Sequence, residues 1–174
     1  MTQRSWQSLF TRMLRHRWLD EGDTRKAIPP EMVRRLMQRV AASEQRHSGQ
    51  IRIYVEAGLP TSYLWRDASP RERAVAMFGK LRTWDTEQNN GVLIYLLLAE
   101  QAIEIVADRG IDRHVSPQDW QAVVARMGAA FREKRFEDGL TQALEEVSAL
   151  LVAHFPLAAG QTNTNELPDE PLLG

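Results

Sequence analysis

Apolar residues recur at helical spacing near the start of the chain. Five of them share one face of a helix predicted over residues 3–18: Trp6, Leu9, Phe10, Met13 and Leu14. The opposite face carries four basic residues: Arg4, Arg12, Arg15 and Arg17. Such a helix suits either contact with an anionic membrane surface or packing of its apolar face on the domain or on a protein partner. The pattern leaves both interpretations open.

Three later segments have the patterns of β-strands. Residues 51–56 alternate apolar and polar side chains, as a half-buried strand does. Val92–Leu98 is an unbroken apolar run, which predicts a central strand buried on both faces. Ala102–Ala107 follows after a short turn, and we expect it to pair with the central strand as an antiparallel hairpin.

Helices are predicted between and after these strands. Pro29–Pro30, Ser69–Pro70 and Ser116–Pro117 are typical helix starts, and a last helix should run from about Phe136 to Phe155. The predicted order is therefore α-α-β-α-β-β-α-α. A helix joins the first two strands, which favours a parallel pair, whereas the third strand is antiparallel. The fold class is α/β, with a small mixed β-sheet of three to four strands covered by helices on both faces.

The chain of 174 residues suits one domain with extensions. Residues 1–27 form the basic amphipathic N-terminal helix and a polar link, and residues 28–156 form the α/β domain. Residues 157–174 are rich in Gly, Pro, Asn and Thr and are predicted to be a disordered tail.

Charge and composition narrow the functional classes. The net charge is −1 and there is no cysteine, so no disulfide, thiolate metal site or cysteine nucleophile is available. The basic helices lack the arrangement of a nucleic-acid-binding surface, and no nucleic-acid partner is expected. Neither a signal peptide nor an apolar run of membrane-spanning length is evident. We expect a cytoplasmic protein, with peripheral membrane contact through residues 3–18 as the open alternative.

Two polar segments should meet at one edge of the sheet. Residues 85–91 lead into the central strand and Asp108–Asp112 leave its antiparallel partner, so they should be neighbours. Their oxygen-bearing side chains suit a hard cation such as Ca²⁺ or Mg²⁺. The candidate ligands are Asp85, Glu87, Asn90, Asp108 and Asp112, and the candidate phosphate-binding residues are Arg82 and Arg109. The competing interpretation is that these residues only form turns and helix caps.

Several of these segments resemble the TPM-domain family. The resemblance lies in His47–Glu56, Asn90–Leu97 and Ile103–Ile111, and it covers roughly Ile28–Phe155. Trp120, Met127, Phe131 and Phe136–Gly139 also fit it. The chain resembles a short form, without the signal peptide and transmembrane segment that most members carry. It also has Asp108-Arg-Gly-Ile111 where many members have Gly-x-Gly-Leu.

The resemblance implies an α/β fold and two possible roles. Some family members are described as acid phosphatases or as binding Ca²⁺, which would make the predicted edge a metal-assisted phosphatase site. Others assist the repair or assembly of membrane complexes. The alternative is therefore a non-catalytic interaction module that docks on a membrane surface or an unknown protein partner. The sequence does not decide whether the protein is an enzyme.

Overall fold

The structure, a computed structural model, describes residues 6–158 and 160–174. Residues 3–5 of the predicted first helix, with Arg4, lie outside the described residues, as do the side chains of residues 6–10 and of Arg15. The elements in chain order are α1 (Trp6–Arg17), α2 (Glu21–Ala27), α3 (Pro30–Glu44), β1 (Gln50–Glu56), α4 (Thr61–Trp65), α5 (Pro70–Lys80), β2 (Gly91–Leu97), β3 (Ala102–Ala107), α6 (Arg109–Asp112), α7 (Pro117–Arg132), α8 (Phe136–His154) and β4 (Leu172–Leu173).

The mixed sheet predicted from the sequence is confirmed. Its four strands lie in the order β3-β2-β1-β4. β1 and β2 are parallel along their whole length, from Gln50 opposite Gly91 to Glu56 opposite Leu97. β2 and β3 are antiparallel, with Val92 opposite Ala107. The crossover between β1 and β2 contains α4 and α5, as a parallel pair requires.

Alternate residues of the strands bury two separate cores. On one face, Ile53, Ile94 and Ile105 pack with α3, α7 and α8. On the other face, Leu93, Tyr95 and residues of α4 and α5 form the second core. Every residue of β2 is buried, which accounts for the absence of polar alternation in its sequence.

Serine and proline set the starts of two main helices, as predicted. Ser69 and Ser116 each accept a hydrogen bond from the backbone N–H three residues later, and Glu72 and Asp119 return a hydrogen bond to the cap. The link predicted at residues 20–26 is instead helical, because Asp20 caps α2 in the same way. A seven-residue helix that contains glycine leaves little periodic pattern to detect.

The C-terminal segment departs from its predicted disorder. Gln50 Oε1 accepts hydrogen bonds from the backbone N–H groups of Glu166 and Leu167, both at 2.9 Å. The Arg52 side chain donates to the carbonyl of Pro168. Beyond these contacts, Leu172–Leu173 pair in parallel with β1 as β4. Two polar side chains of β1 thus fix a segment whose composition alone resembles a free tail.

The first helix contacts the domain through Arg12 and His16, and Met13 of its apolar face packs against the second core. Arg12 Nε and Nη1 lie 2.7 Å from Glu100 Oε1 and Asp67 Oδ1, and Nη2 donates to the carbonyl of Ala68 at 2.6 Å. His16 lies 2.9 Å from the same Glu100 oxygen. Burial would raise the pKa of the Glu100 carboxyl, but hydrogen bonds from His16 and Arg12 outweigh it and hold that pKa below its usual range. Arg12 is therefore turned inward.

No helix among the described residues combines the length and apolar character needed to cross a membrane. The docking role predicted for residues 3–18 stays a prediction. Described residues of this segment that are exposed and could serve such docking include Leu14, Arg17 and Trp18.

Replacement of Gln50 tests how the C-terminal segment is held. Gln50→Ala leaves the buried N–H of Leu167 without its acceptor, at a cost of about 1–3 kcal/mol. We expect the melting temperature to fall by about 2–12 °C. Amide exchange at Glu166 and Leu167 should also accelerate. Gln38→Ala, at an exposed position of α3, is the control and should change neither measurement. Equal behaviour of the two variants would show that Gln50 does not hold the segment.

Candidate functional site

Three chain segments converge at one edge of the sheet. Gln50 and Gly91 begin β1 and β2 side by side, because these strands are parallel and in register. β3 runs the other way and ends there, where Asp108 N donates to Gly91 O at 2.9 Å. Ser48, Asn90 and Asp108 therefore flank the same edge.

The loop before β2 is held against the residues that follow β3. Gly110 N donates to Asn89 O at 2.8 Å, and Arg109 Nε donates to Asn89 Oδ1 at 3.0 Å. A Cβ atom on Gly110 would lie 2.3 Å from Asn89 O and 2.6 Å from Gln88 O. Only glycine fits this close approach, which brings two backbone carbonyls to the edge.

Asn90 is fully buried beneath this loop. Its backbone N donates to Thr86 Oγ1 at 3.1 Å, and its Nδ2 donates to Ser48 Oγ at 3.2 Å. Ser48 Oγ donates in turn to Gln88 Oε1 at 2.8 Å. Asn90 Oδ1 is buried and has no hydrogen-bond partner in the described part of the chain.

Asp108 also has a buried side-chain oxygen without a hydrogen-bond partner in the described chain. It is 9% exposed, and its Oδ1 accepts from Arg109 N at 2.7 Å at the start of α6. Its Oδ2 is buried and lacks a hydrogen-bond partner within residues 6–158 and 160–174. An unsatisfied buried oxygen costs about 1–3 kcal/mol, and more when the group is charged. Two such oxygens at one sheet edge call for a ligand or an equivalent compensation.

The other candidate residues do not join Asn90 and Asp108. Arg82 Nη2 and Asp85 Oδ2 form an exposed ion pair at 2.7 Å. Glu87 is exposed, and its backbone N donates to Glu166 Oε2 at 2.9 Å. Asp112 is exposed at the end of α6. In the residues that the structure covers, no three His, Cys, Asp or Glu side chains form a group that could hold a metal ion.

The structure adds residues that the sequence did not single out. Ser48 and Gln88 enter through their hydrogen bonds with Asn90. A polar cavity of about 550 Å³ lies beside them. Glu87, Glu166 and His154 are among its lining residues, and no lysine or arginine is.

Two buried titratable groups lie just before β1. Glu44 Oε1 accepts from Ile51 N at 2.9 Å, and burial raises the pKa of its carboxyl to about 8, with a further contribution from Asp169. His47 is fully buried between Gly49 O and Ser148 Oγ, and burial lowers the pKa of its imidazole to about 4. Both groups are therefore neutral near pH 6–7.

The sequence matches a known protein family, and the structure is similar to a known protein structure. A family profile described as the TPM domain matches residues 22–150. The structure is similar to the NMR structure of BA42 protein from the psychrophilic bacterium Bizionia argentinensis sp. nov., with a TM-score of 0.73 and 25% sequence identity. That match covers 84% of this chain and 95% of the other. No curated protein matches the sequence.

The raised pKa of Glu44 predicts a loss of stability with rising pH. Between its ordinary value of 4.5 and about 8, the folded state holds a proton that the unfolded state releases, so stability falls as pH rises through this window. Glu44→Gln keeps the oxygen that accepts from Ile51 but cannot ionise. Its melting temperature should match the wild type at pH 5 and exceed it by several degrees at pH 8.

The control for this experiment is Glu145→Gln, at an exposed position of α8. It should track the wild type at both pH values. A constant difference between Glu44→Gln and the wild type across pH 5–8 would contradict the proposed titration.

Proposed function

The chain belongs to the TPM-domain family, and on that premise we propose that it binds a divalent cation, Ca²⁺ or Mg²⁺, at the edge where β2 begins and β3 ends. The observation that carries this proposal is the pair of buried oxygens without hydrogen-bond partners among the described residues, Asn90 Oδ1 and Asp108 Oδ2. Their strands are adjacent, and Asp108 N is hydrogen-bonded to the residue that follows Asn90.

The chemistry of the donors fits a hard cation. Asp108 would supply a carboxylate oxygen and Asn90 an amide oxygen, and the carbonyls of Gln88 and Asn89 approach the backbone of Gly110, two residues after Asp108. Ca²⁺ and Mg²⁺ prefer such oxygen ligands and commonly keep several waters. A bound cation would also neutralise the buried carboxylate of Asp108, which is otherwise expensive. With one carboxylate the affinity should be low, on the order of 10⁻⁴ M.

Thermal denaturation with and without Ca²⁺ tests this proposal. At about 100 times the dissociation constant, a ligand adds about 2.7 kcal/mol of stability. The melting temperature of the wild type should therefore rise by about 5–10 °C in 10 mM Ca²⁺. Asp108→Asn keeps the oxygen that caps α6 but loses the charge, and its melting temperature should not respond to Ca²⁺.

Asp85→Asn is the matched control, because it removes one carboxylate from the same polar loop but from an exposed ion pair. This variant should keep the full response to Ca²⁺. The proposal is refuted if the wild type shows no shift with either cation, or if Asp108→Asn and Asp85→Asn respond alike.

Phosphate-ester hydrolysis is a second candidate function, favoured by the position of Arg109. Its Nε donates to Asn89 Oδ1, which holds the exposed guanidinium against the loop that leads into β2. A bound cation there would withdraw charge from a phosphate ester, and Arg109 would bind the ester oxygens. Arg82, the other predicted phosphate-binding residue, is instead paired with Asp85.

Hydrolysis of p-nitrophenyl phosphate in Mg²⁺ tests this second candidate. Arg109→Ala should lower kcat/KM about 10- to 100-fold, as expected for loss of a charge-assisted contact. Arg82→Ala should stay within about twofold of the wild type. If Arg109→Ala and Asp108→Asn hydrolyse the ester as fast as the wild type, the activity does not come from this edge.

The interaction module predicted from the sequence remains the alternative without catalysis. Since Arg12 and His16 are engaged with Glu100, this role would rest on the exposed end of α1, where Trp18 is 81% exposed.

A further inference from the structure

The long outer side of β3 forms a lateral edge of the sheet, and this edge lacks a strand partner in the described chain. It is distinct from the sheet end where β2 begins and β3 ends. β3 is the terminal strand on its side, and no strand of the described chain lies beyond it. Asp108 N is bonded to Gly91 O, so the antiparallel pattern directs Val106 and Glu104 toward β2. The same pattern directs the backbone N–H and C=O groups of Ile103, Ile105 and Ala107 outward.

A side chain already occupies one position of this edge. Arg71, on α5, donates from its guanidinium to the carbonyl of Ile105 and lies 3.7 Å from Glu104 Oε2. The outward carbonyl therefore accepts a hydrogen bond from an N–H donor placed beyond the sheet. Long charged side chains over a strand edge are a common protection against added strands.

A groove of about 630 Å³ runs over the edge between α5 and α7. Its floor includes Ile105 and Ala107, and its α7 wall includes Trp120 and Val124. Trp120 is 9% exposed, and its indole Nε1 is a buried donor with no acceptor among the residues the structure describes. Buried indole N–H groups usually have a partner, so this donor beside the groove lacks the acceptor expected for it.

The opposite edge of the sheet shows what such an edge binds. There the C-terminal segment adds in an extended conformation, with Gly174 N donating to Val55 O and Ala57 N donating to Gly174 O, both at 2.9 Å. A short extended segment therefore completes the β1 edge of this sheet. The β3 edge offers outward groups at every second residue, and only an extended chain matches that spacing.

We propose that the β3 edge binds an extended peptide segment of a protein partner, which adds to the sheet as a further strand in the groove between α5 and α7. The peptide backbone pairs with Ile103, Ile105 and Ala107. The rim carries the carboxylates of Glu104 and Asp112, and Arg71 is already committed to Glu104 and Ile105. Charge complementarity then favours a lysine or arginine in the peptide.

Arg71 and Trp120 should affect binding in opposite directions. Arg71 occupies the carbonyl of Ile105 that the peptide needs, so its removal should strengthen binding. Trp120 supplies the indole donor that lacks an acceptor, so its loss should weaken binding. This proposal does not depend on the cation at Asp108.

The test uses the full chain and a blocked eight-residue peptide of alternating valine and lysine, with binding measured by NMR titration and amide exchange. We expect saturable binding and slower exchange of the Ile103, Ile105 and Ala107 amides by at least about tenfold. Arg71→Ala should bind severalfold more tightly, and Trp120→Phe about tenfold more weakly, as loss of one hydrogen bond predicts. Arg82→Ala, outside the groove, should bind like the wild type.

Two control peptides separate strand addition from simple charge attraction. A peptide N-methylated at alternate residues cannot pair with the edge and should not bind, and one with glutamate in place of lysine should bind more weakly. The proposal is overturned if no saturable binding occurs, or if the N-methylated peptide binds equally well. It is also overturned if the Ile105 and Ala107 amides of the free protein exchange as slowly as those of Glu104 and Val106.

Discussion

The parallel pairing of β1 with β2 is the constraint on which the rest of the structure depends. β2 is buried on both faces, so helices must cover the sheet on both sides and the crossover must pass over one of them. The pairing also divides the polar groups of these strands between two ends of the sheet. The two ends differ in whether these buried polar groups have hydrogen-bond partners in the described chain.

At the end where β1 and β2 finish, the buried polar groups satisfy one another. Glu56 accepts from Tyr95 Oη at 2.7 Å and from Arg73, which lies against it in a bidentate contact. Burial raises the pKa of the Tyr95 hydroxyl, and that of Tyr54 is raised to about 12, so both tyrosines stay neutral. Hydrogen bonding to Glu56 raises the pKa of Arg73. A buried charge with all its partners in place is a structural element rather than a ligand site. At the opposite end, Asn90 and Asp108 each leave an oxygen without a partner within the described chain, which is why we propose a ligand there.

Sequence patterns predicted the parts of the fold that depend on burial and capping. The unbroken apolar run of β2 and the serine caps of α5 and α7 are local signals, and the sheet topology follows from the helix between β1 and β2. The antiparallel pairing of β3 also brought the loop before β2 and the residues after β3 to the same end of the sheet. The direction of the loop side chains could not be predicted in this way. Arg82 has a positive φ value of 55°, which the sequence pattern does not reveal, and its side chain pairs with Asp85.

The C-terminal segment also could not be predicted from local sequence patterns. Its pairing with β1 makes the β1 side of the sheet different from the β3 side. Its composition resembles that of a disordered tail, and its attachment depends on distant acceptors and donors of β1, namely Gln50 and Arg52. It lies beyond residue 150, where the match to the TPM domain ends, yet it completes the β1 edge as β4. β4 covers β1 at Tyr54 and Val55, whereas no strand of the described chain lies beyond β3, where Arg71 donates to the carbonyl of Ile105. The described chain thus covers part of the β1 edge with its own C-terminal segment and leaves hydrogen-bonding capacity at the outer edge of β3, the strand that Asp108 follows.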